Sequence, residues 1–104
     1  MHIPARPDAP IACDMSTARD TPQERLAEYA ELFSWALLRR ERRPGAIVFA
    51  VRGEAREAVE DLARREAACC PFLDQRVEAA GDEVIWTMAG EGADEILDAF
   101  HALR

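Results

Sequence analysis

The chain has 104 residues, 49% of them hydrophobic, three cysteines and a formal net charge of −7; it suits one domain with one core and is too apolar for a disordered chain. No apolar run reaches the roughly 18 residues of a membrane span, so no membrane partner is expected, and the acidic field opposes nucleic-acid binding by this domain alone. All thirteen basic residues are arginine; lysine and asparagine, whose codons all begin AA, are absent, as a GC-rich bacterial genome would leave them.

Residues 1–10 hold Pro4, Pro7 and Pro10 and no apolar h-region. They read as a flexible N-terminal arm without a signal peptide, ahead of a single domain over residues 11–104. The expected location is therefore the cytoplasm, where thiols stay reduced. Ile11 to Met15 reads as a short strand carrying Cys13. A helix then starts at Thr21, with Pro22 in its first turn and Glu24 completing a capping box. Leu26, Tyr29, Ala30, Phe33, Ala36 and Leu37 follow at helical spacing as its core stripe. Leu32, Trp35 and Leu38 widen that stripe, which suggests a second packing partner such as another copy of the chain. Arg39-Arg40-Glu41-Arg42-Arg43 falls where the helix should end, and cations there complement the helix dipole.

Pro44-Gly45 stops that segment, and Ala46 to Arg52 alternates as a half-buried strand with Ile47, Phe49 and Val51 inward. A second helix runs from about Glu54 to Cys69, with Ala55, Ala58, Val59, Leu62 and Ala63 apolar. Pro71 ends it, because the residue before a proline is pushed out of the helical region. Phe72 to Ala79 reads as a strand, Ala80-Gly81-Asp82 as a turn, and Val84, Trp86 and Met88 as the inward face of the next strand. A last helix carries Ala93, Ile96, Leu97, Phe100 and Leu103. The order β-α-β-α-β-β-α implies an α+β two-layer sandwich, one sheet with helices packed against it.

The residues that carry chemistry are Glu66, Cys69, Cys70 and Cys13. Projected at 3.6 residues per turn, the stripe of Ala55, Val59 and Leu62 passes through Glu66 and reaches both cysteines. A carboxylate on an apolar stripe is costly unless something pairs with it. A metal ion near the thiols would pair with it, and so would Arg65 or another arginine. Reactive cysteines usually sit at a helix N-terminus or beside a cation, whereas this pair falls at a helix C-terminus over a carboxylate. His2 and His101 have no evident spacing to any cysteine, so catalysis by a cysteine and a histidine base is not the favoured reading. A soft cation reverses that logic by deprotonating its own thiol ligands. Three sulfurs suit Hg(II), Cu(I) or As(III), and three sulfurs with the Glu66 carboxylate suit Zn(II). A vicinal disulfide between Cys69 and Cys70 would be the redox version of the same site.

Glu66-Ala67-Ala68-Cys69-Cys70-Pro71-Phe72 resembles the Glu-x-x-Cys-Cys-Pro-Phe signature of small bacterial proteins that carry an upstream cysteine, a Thr/Pro helix start and an Arg-Leu-x-x-Tyr/Trp helix. The counterparts here are Cys13, Thr21-Pro22 and Arg25-Leu26-Ala27-Glu28-Tyr29, and the resemblance runs from Cys13 onward. Where the pattern has an aromatic after the phenylalanine, this chain has Leu73. Similar domains occur beside MerR-type regulators, which implies heavy-metal or stress sensing. The leading expectation is a cytoplasmic soft-metal or metalloid binding domain, acting as sensor, chaperone or sequestering protein through Cys13, Cys69 and Cys70 with Glu66. The alternatives are a thiol redox switch or thiol-dependent enzyme using Cys69 and Cys70, and a non-catalytic interaction module with buried structural cysteines.

Overall fold

A computed structural model describes residues 1–103. A two-residue strand β1 (His2–Ile3) is followed by helix α1 (Pro22–Ala36), strands β2 (Leu37–Arg43) and β3 (Ala46–Arg52), helix α2 (Arg56–Cys69), strands β4 (Asp74–Ala80) and β5 (Glu83–Ala89), and helix α3 (Asp94–His101). The strands form one antiparallel sheet in the order β1-β4-β5-β3-β2. α1 and α3 pack over β2 and β3, and α2 packs over β4. The architecture is α+β, as the periodicities imply.

Thr21 caps α1 as expected: its hydroxyl accepts from the Glu24 backbone N–H at 3.1 Å, and the Glu24 carboxylate accepts from the Thr21 N–H at 2.8 Å. The two satisfy donors that the first helical turn leaves open. On the sheet, Ile47, Phe49 and Val51 of β3 and Val84, Trp86 and Met88 of β5 are buried beneath the helices. Trp86 stacks on Tyr29, with ring centroids 6.0 Å apart, and Phe49 packs against both Trp86 and Phe33. Each such side chain, fully buried, contributes about 1.5–3 kcal/mol of apolar transfer energy. Gln75 is also fully buried, and its Oε1 accepts from the Trp86 indole N–H at 2.8 Å.

Three parts of the fold depart from the periodicities. The arginine run is the edge strand β2 and not a helix end, because α1 stops at Ala36 and the chain turns extended at Leu37. Arg40 and Arg42 reach back to α3: Arg40 donates to the carbonyl of His101 at 2.8 Å, and Arg42 pairs with Asp94 at 2.7 Å and Asp98 at 2.9 Å. Part of the run does meet a helix C-terminus, but that of α3. The second departure is at the N-terminus, where His2 and Ile3 of the expected arm pair with Arg76 and Gln75. Finally, the segment around Cys13 is not a strand; residues 4–20 form an irregular loop, broken early by Pro4, Pro7 and Pro10.

The helical phase of α1 also differs by one residue. Tyr29, Leu32, Phe33 and Ala36 set the buried stripe, and extending it back by one turn lands on Arg25, which is buried, while Leu26 is 54% exposed. Leu32 belongs to the core. The surface expected to receive a second copy therefore keeps only Trp35 and Leu38, both exposed.

Candidate functional site

The loop of residues 4–20 is attached to the C-terminal end of α2. Arg6 N–H donates to the Pro71 carbonyl at 2.7 Å, and Asp14 N–H donates to the Cys69 carbonyl at 2.8 Å. Met15 and Ala18 pack against the core. These contacts bring Cys13 to Cys70, with Cα atoms 4.6 Å apart and the sulfurs joined in a disulfide. Cys13 sits on the surface while Cys70 is buried, so one half of the bond faces solvent. Cys69 is a free, buried thiol.

This arrangement corrects two expectations. The thiols are not all free, and the pairing is not the vicinal Cys69–Cys70 bond. Cys70 is the C-cap of α2, its N–H bonded to the Glu66 carbonyl. From there its side chain meets the loop, while Cys69 faces α1. Adjacent residues at a helix end point in different directions, and each thiol acquires its own neighbour.

The neighbour of Cys69 is an ion pair. Arg25 of α1 and Glu66 of α2 form a salt bridge with both side chains buried. The other Nη of Arg25 lies 3.9 Å from the Cys69 sulfur and donates toward it. The same guanidinium binds Asp20 through two bonds of 2.5 and 2.8 Å. Arg65, one turn before Cys69, pairs with Glu28 and Asp61 and reaches Asp20 at 3.3 Å. Arginine, with its planar fork of five donors, suits such a multiply shared position.

The electrostatics follow from this packing. The side-chain hydrogen bond from Arg25 holds the Asp20 carboxyl down to about 2. Burial pushes the Glu66 carboxyl up, with Arg25 offsetting part of the effect, and it pushes the Tyr29 phenol well up. The hydrogen bond to Asp20 raises Arg25, which stays charged throughout. The carboxylate on the apolar stripe is thus answered by an arginine from the facing helix.

Of the four residues expected to form one centre, Cys13 and Cys70 are joined to each other, Cys69 faces Arg25, and Glu66 is paired with Arg25. Among the described residues no group of three or more His, Cys, Asp or Glu side chains is arranged to hold a metal ion. The residues that the sequence reading missed are Arg25 and Asp20. Their signal was present: Arg25 lies on the stripe of Tyr29, Leu32 and Phe33, just as Glu66 lies on that of Val59 and Leu62. Two opposite charges on the apolar stripes of two helices are each other's natural partners.

Beside this network a small cleft of about 170 Å³ is lined by Asp20, Arg25, Arg65, Ala68 and Cys69, among others. A shallow groove of about 430 Å³ lies on the Cys13 side, between α1 and α3. No described helix is long and apolar enough to cross a membrane. Comparison with protein-family models, with curated proteins and with solved structures returns no match, so the functional reading rests on the site itself.

Proposed function

We propose that this protein is a thiol–disulfide switch whose working element is the Cys13–Cys70 pair. The observation that carries the reading is the half-exposed disulfide, closing 57 positions of chain between an irregular loop and the end of a core helix. Exposed disulfides tend to be the labile, regulatory ones. Reduction removes the covalent tie on the loop and leaves non-covalent contacts to hold it: the Arg6 and Asp14 backbone bonds, the packing of Met15 and Ala18, and the pairs of Asp20 with Arg25 and Arg65. The oxidised state locks the Cys13 part of the loop against α2, and the reduced state frees that part to move. The buried Cys69 stays reduced in both.

The test is thiol counting by mass spectrometry after alkylation in denaturant, across a graded dithiothreitol series. One reactive cysteine in the oxidised protein and three in the reduced protein are expected. The midpoint should lie above about −300 mV, where structural disulfides of secreted proteins are typically still intact. Three alkylated cysteines in protein kept from reductant, or modification of Cys70 with Cys13 and Cys69 disulfide-linked, would refute the reading.

The second reading is soft-metal binding by the reduced form, and the Cα separation of 4.6 Å between Cys13 and Cys70 favours it. Two thiolates so close suit two-coordinate Hg(II) or Cu(I), and Cys69 would add a third sulfur after a local shift. As(III) requires that third sulfur, and Zn(II) also requires Glu66 to exchange Arg25 for the ion. A sulfur-to-metal charge-transfer band on titrating Hg(II) into reduced protein, abolished by Cys13→Ser and Cys70→Ser, is the expected sign.

A further inference from the structure

Resting on the reading of Cys13–Cys70 as a reversible disulfide, the geometry points to the groove between α1 and α3 as the binding site for the attacking thiol. The class of thiol it takes is one with an apolar body and no carboxylate. Cys13 itself lines this groove, together with Leu26, Ile96, Ala99, Phe100 and Leu103. Among the described residues, Glu95 is the one charged residue in that lining. Leu26 is 54% exposed, on the solvent side of α1, one residue out of phase with the buried stripe. An apolar floor, a sulfur in the lining and, among the described residues, one negative charge define the occupant by complementarity. Burial favours an aliphatic chain, the disulfide requires a thiol, and Glu95 repels an anionic head.

The order of events follows from exposure. The thiolate attacks the Cys13 sulfur, which lies at the surface; Cys70 is only 1% exposed and is shielded from direct attack. A bond forms between the incoming sulfur and Cys13, the Cys13–Cys70 bond breaks, and its electron pair stays on Cys70, which takes a proton from water. A second molecule of the thiol attacks the sulfur of the bound thiol, leaving as the small-molecule disulfide and freeing Cys13. Two thiols are oxidised to one disulfide, and the protein gains two electrons.

The probes are 1-butanethiol, 2-mercaptoethanol and 3-mercaptopropionate, with reduction rates of the oxidised protein expressed per thiolate. Each rate is divided by that for oxidised glutathione as an exposed reference disulfide. A buried methylene is worth up to about fourfold in affinity, so butanethiol is expected to exceed 2-mercaptoethanol by about tenfold and 3-mercaptopropionate to be the slowest. Leu26→Gln and Ala99→Asp, both at exposed positions, should bring the butanethiol advantage back to about one. Leu38→Gln, at an exposed apolar position outside the groove, should retain it. Equal normalised rates in the unaltered protein, or an advantage that survives both groove variants, overturns the groove while leaving the switch intact. A disulfide that none of the three thiols reduces without denaturant overturns the groove and the switch together.

Discussion

Arginine is used in two opposite ways in this molecule. Arg25 sits between α1 and α2 with almost no solvent contact, held by Asp20 and Glu66 and touching Cys69. On β2, Arg39, Arg42 and Arg43 lie at the sheet edge and pair with acids that keep solvent contact, as Arg39 does with Glu83 at 2.7 Å, while Arg40 donates to the His101 carbonyl. The chemistry of the pairs is alike, and the dielectric around them is not. In the buried cluster, removal of one partner strands the other without water; on the edge strand, water replaces whatever is lost. Charge at the first place therefore specifies how α1 meets α2, whereas at the second it tunes docking of α3 and shields an open sheet edge.

The largest expected effect comes from breaking the buried cluster. Arg25→Ala should lower unfolding free energy by about 3–5 kcal/mol in denaturant titration, because Glu66 is then buried and unpaired. The double variant Arg25→Met with Glu66→Leu should recover most of that loss, since an apolar pair of similar volume has no desolvation penalty. A double variant as unstable as the single would show that the cluster contributes more than compensated charge.

An intermediate effect is expected from acid. The folded-state pKa of Asp20 is depressed to about 2, so its contribution is complete above the ordinary carboxylate range. That contribution is lost as pH falls toward 2. Asp20→Asn should therefore melt below the parent at pH 6, and the gap in Tm should close as pH approaches 2. A gap that is constant with pH would place the role of Asp20 in packing and not in charge.

The smallest effects belong to the edge strand. Arg42→Ala, which removes bonds to both Asp94 and Asp98, should lower Tm only slightly in a thermal melt, and Arg39→Ala less still. Both losses should shrink in high salt, whereas that of Arg25→Ala should not. A comparable salt response at Arg25 would dissolve the distinction between the two regions.

Much of this layout was legible in the residues. The Thr21 capping box, the alternation through Ile47, Phe49 and Val51, and the stripe that leads Val59 and Leu62 to Glu66 and Cys69 all stand as read. The boundary at Leu37 was not legible, because a run of charged residues has no apolar alternation to mark it as a strand. Only the reach of Arg40 and Arg42 to α3 shows which side faces inward. Leucine outranks arginine as a core residue, which favours Leu26, although Arg25 has the better helical phase and is the buried one. The disulfide partner lay beyond sequence altogether, since three cysteines allow three pairings and only the path of the 4–20 loop selects one.

The short strand β1 carries a consequence for biogenesis. Its pairing with β4 is continued by Met1, whose backbone nitrogen meets the Val77 carbonyl 76 positions away. At roughly 5–20 residues per second, a ribosome makes this end several seconds before the segment it must join. Residues 1–3 are thus made well before β4, the strand they join. Cys13 waits with them, and Cys70 is not yet available to it. The Cys13–Cys70 bond can therefore close only after synthesis has passed the end of α2.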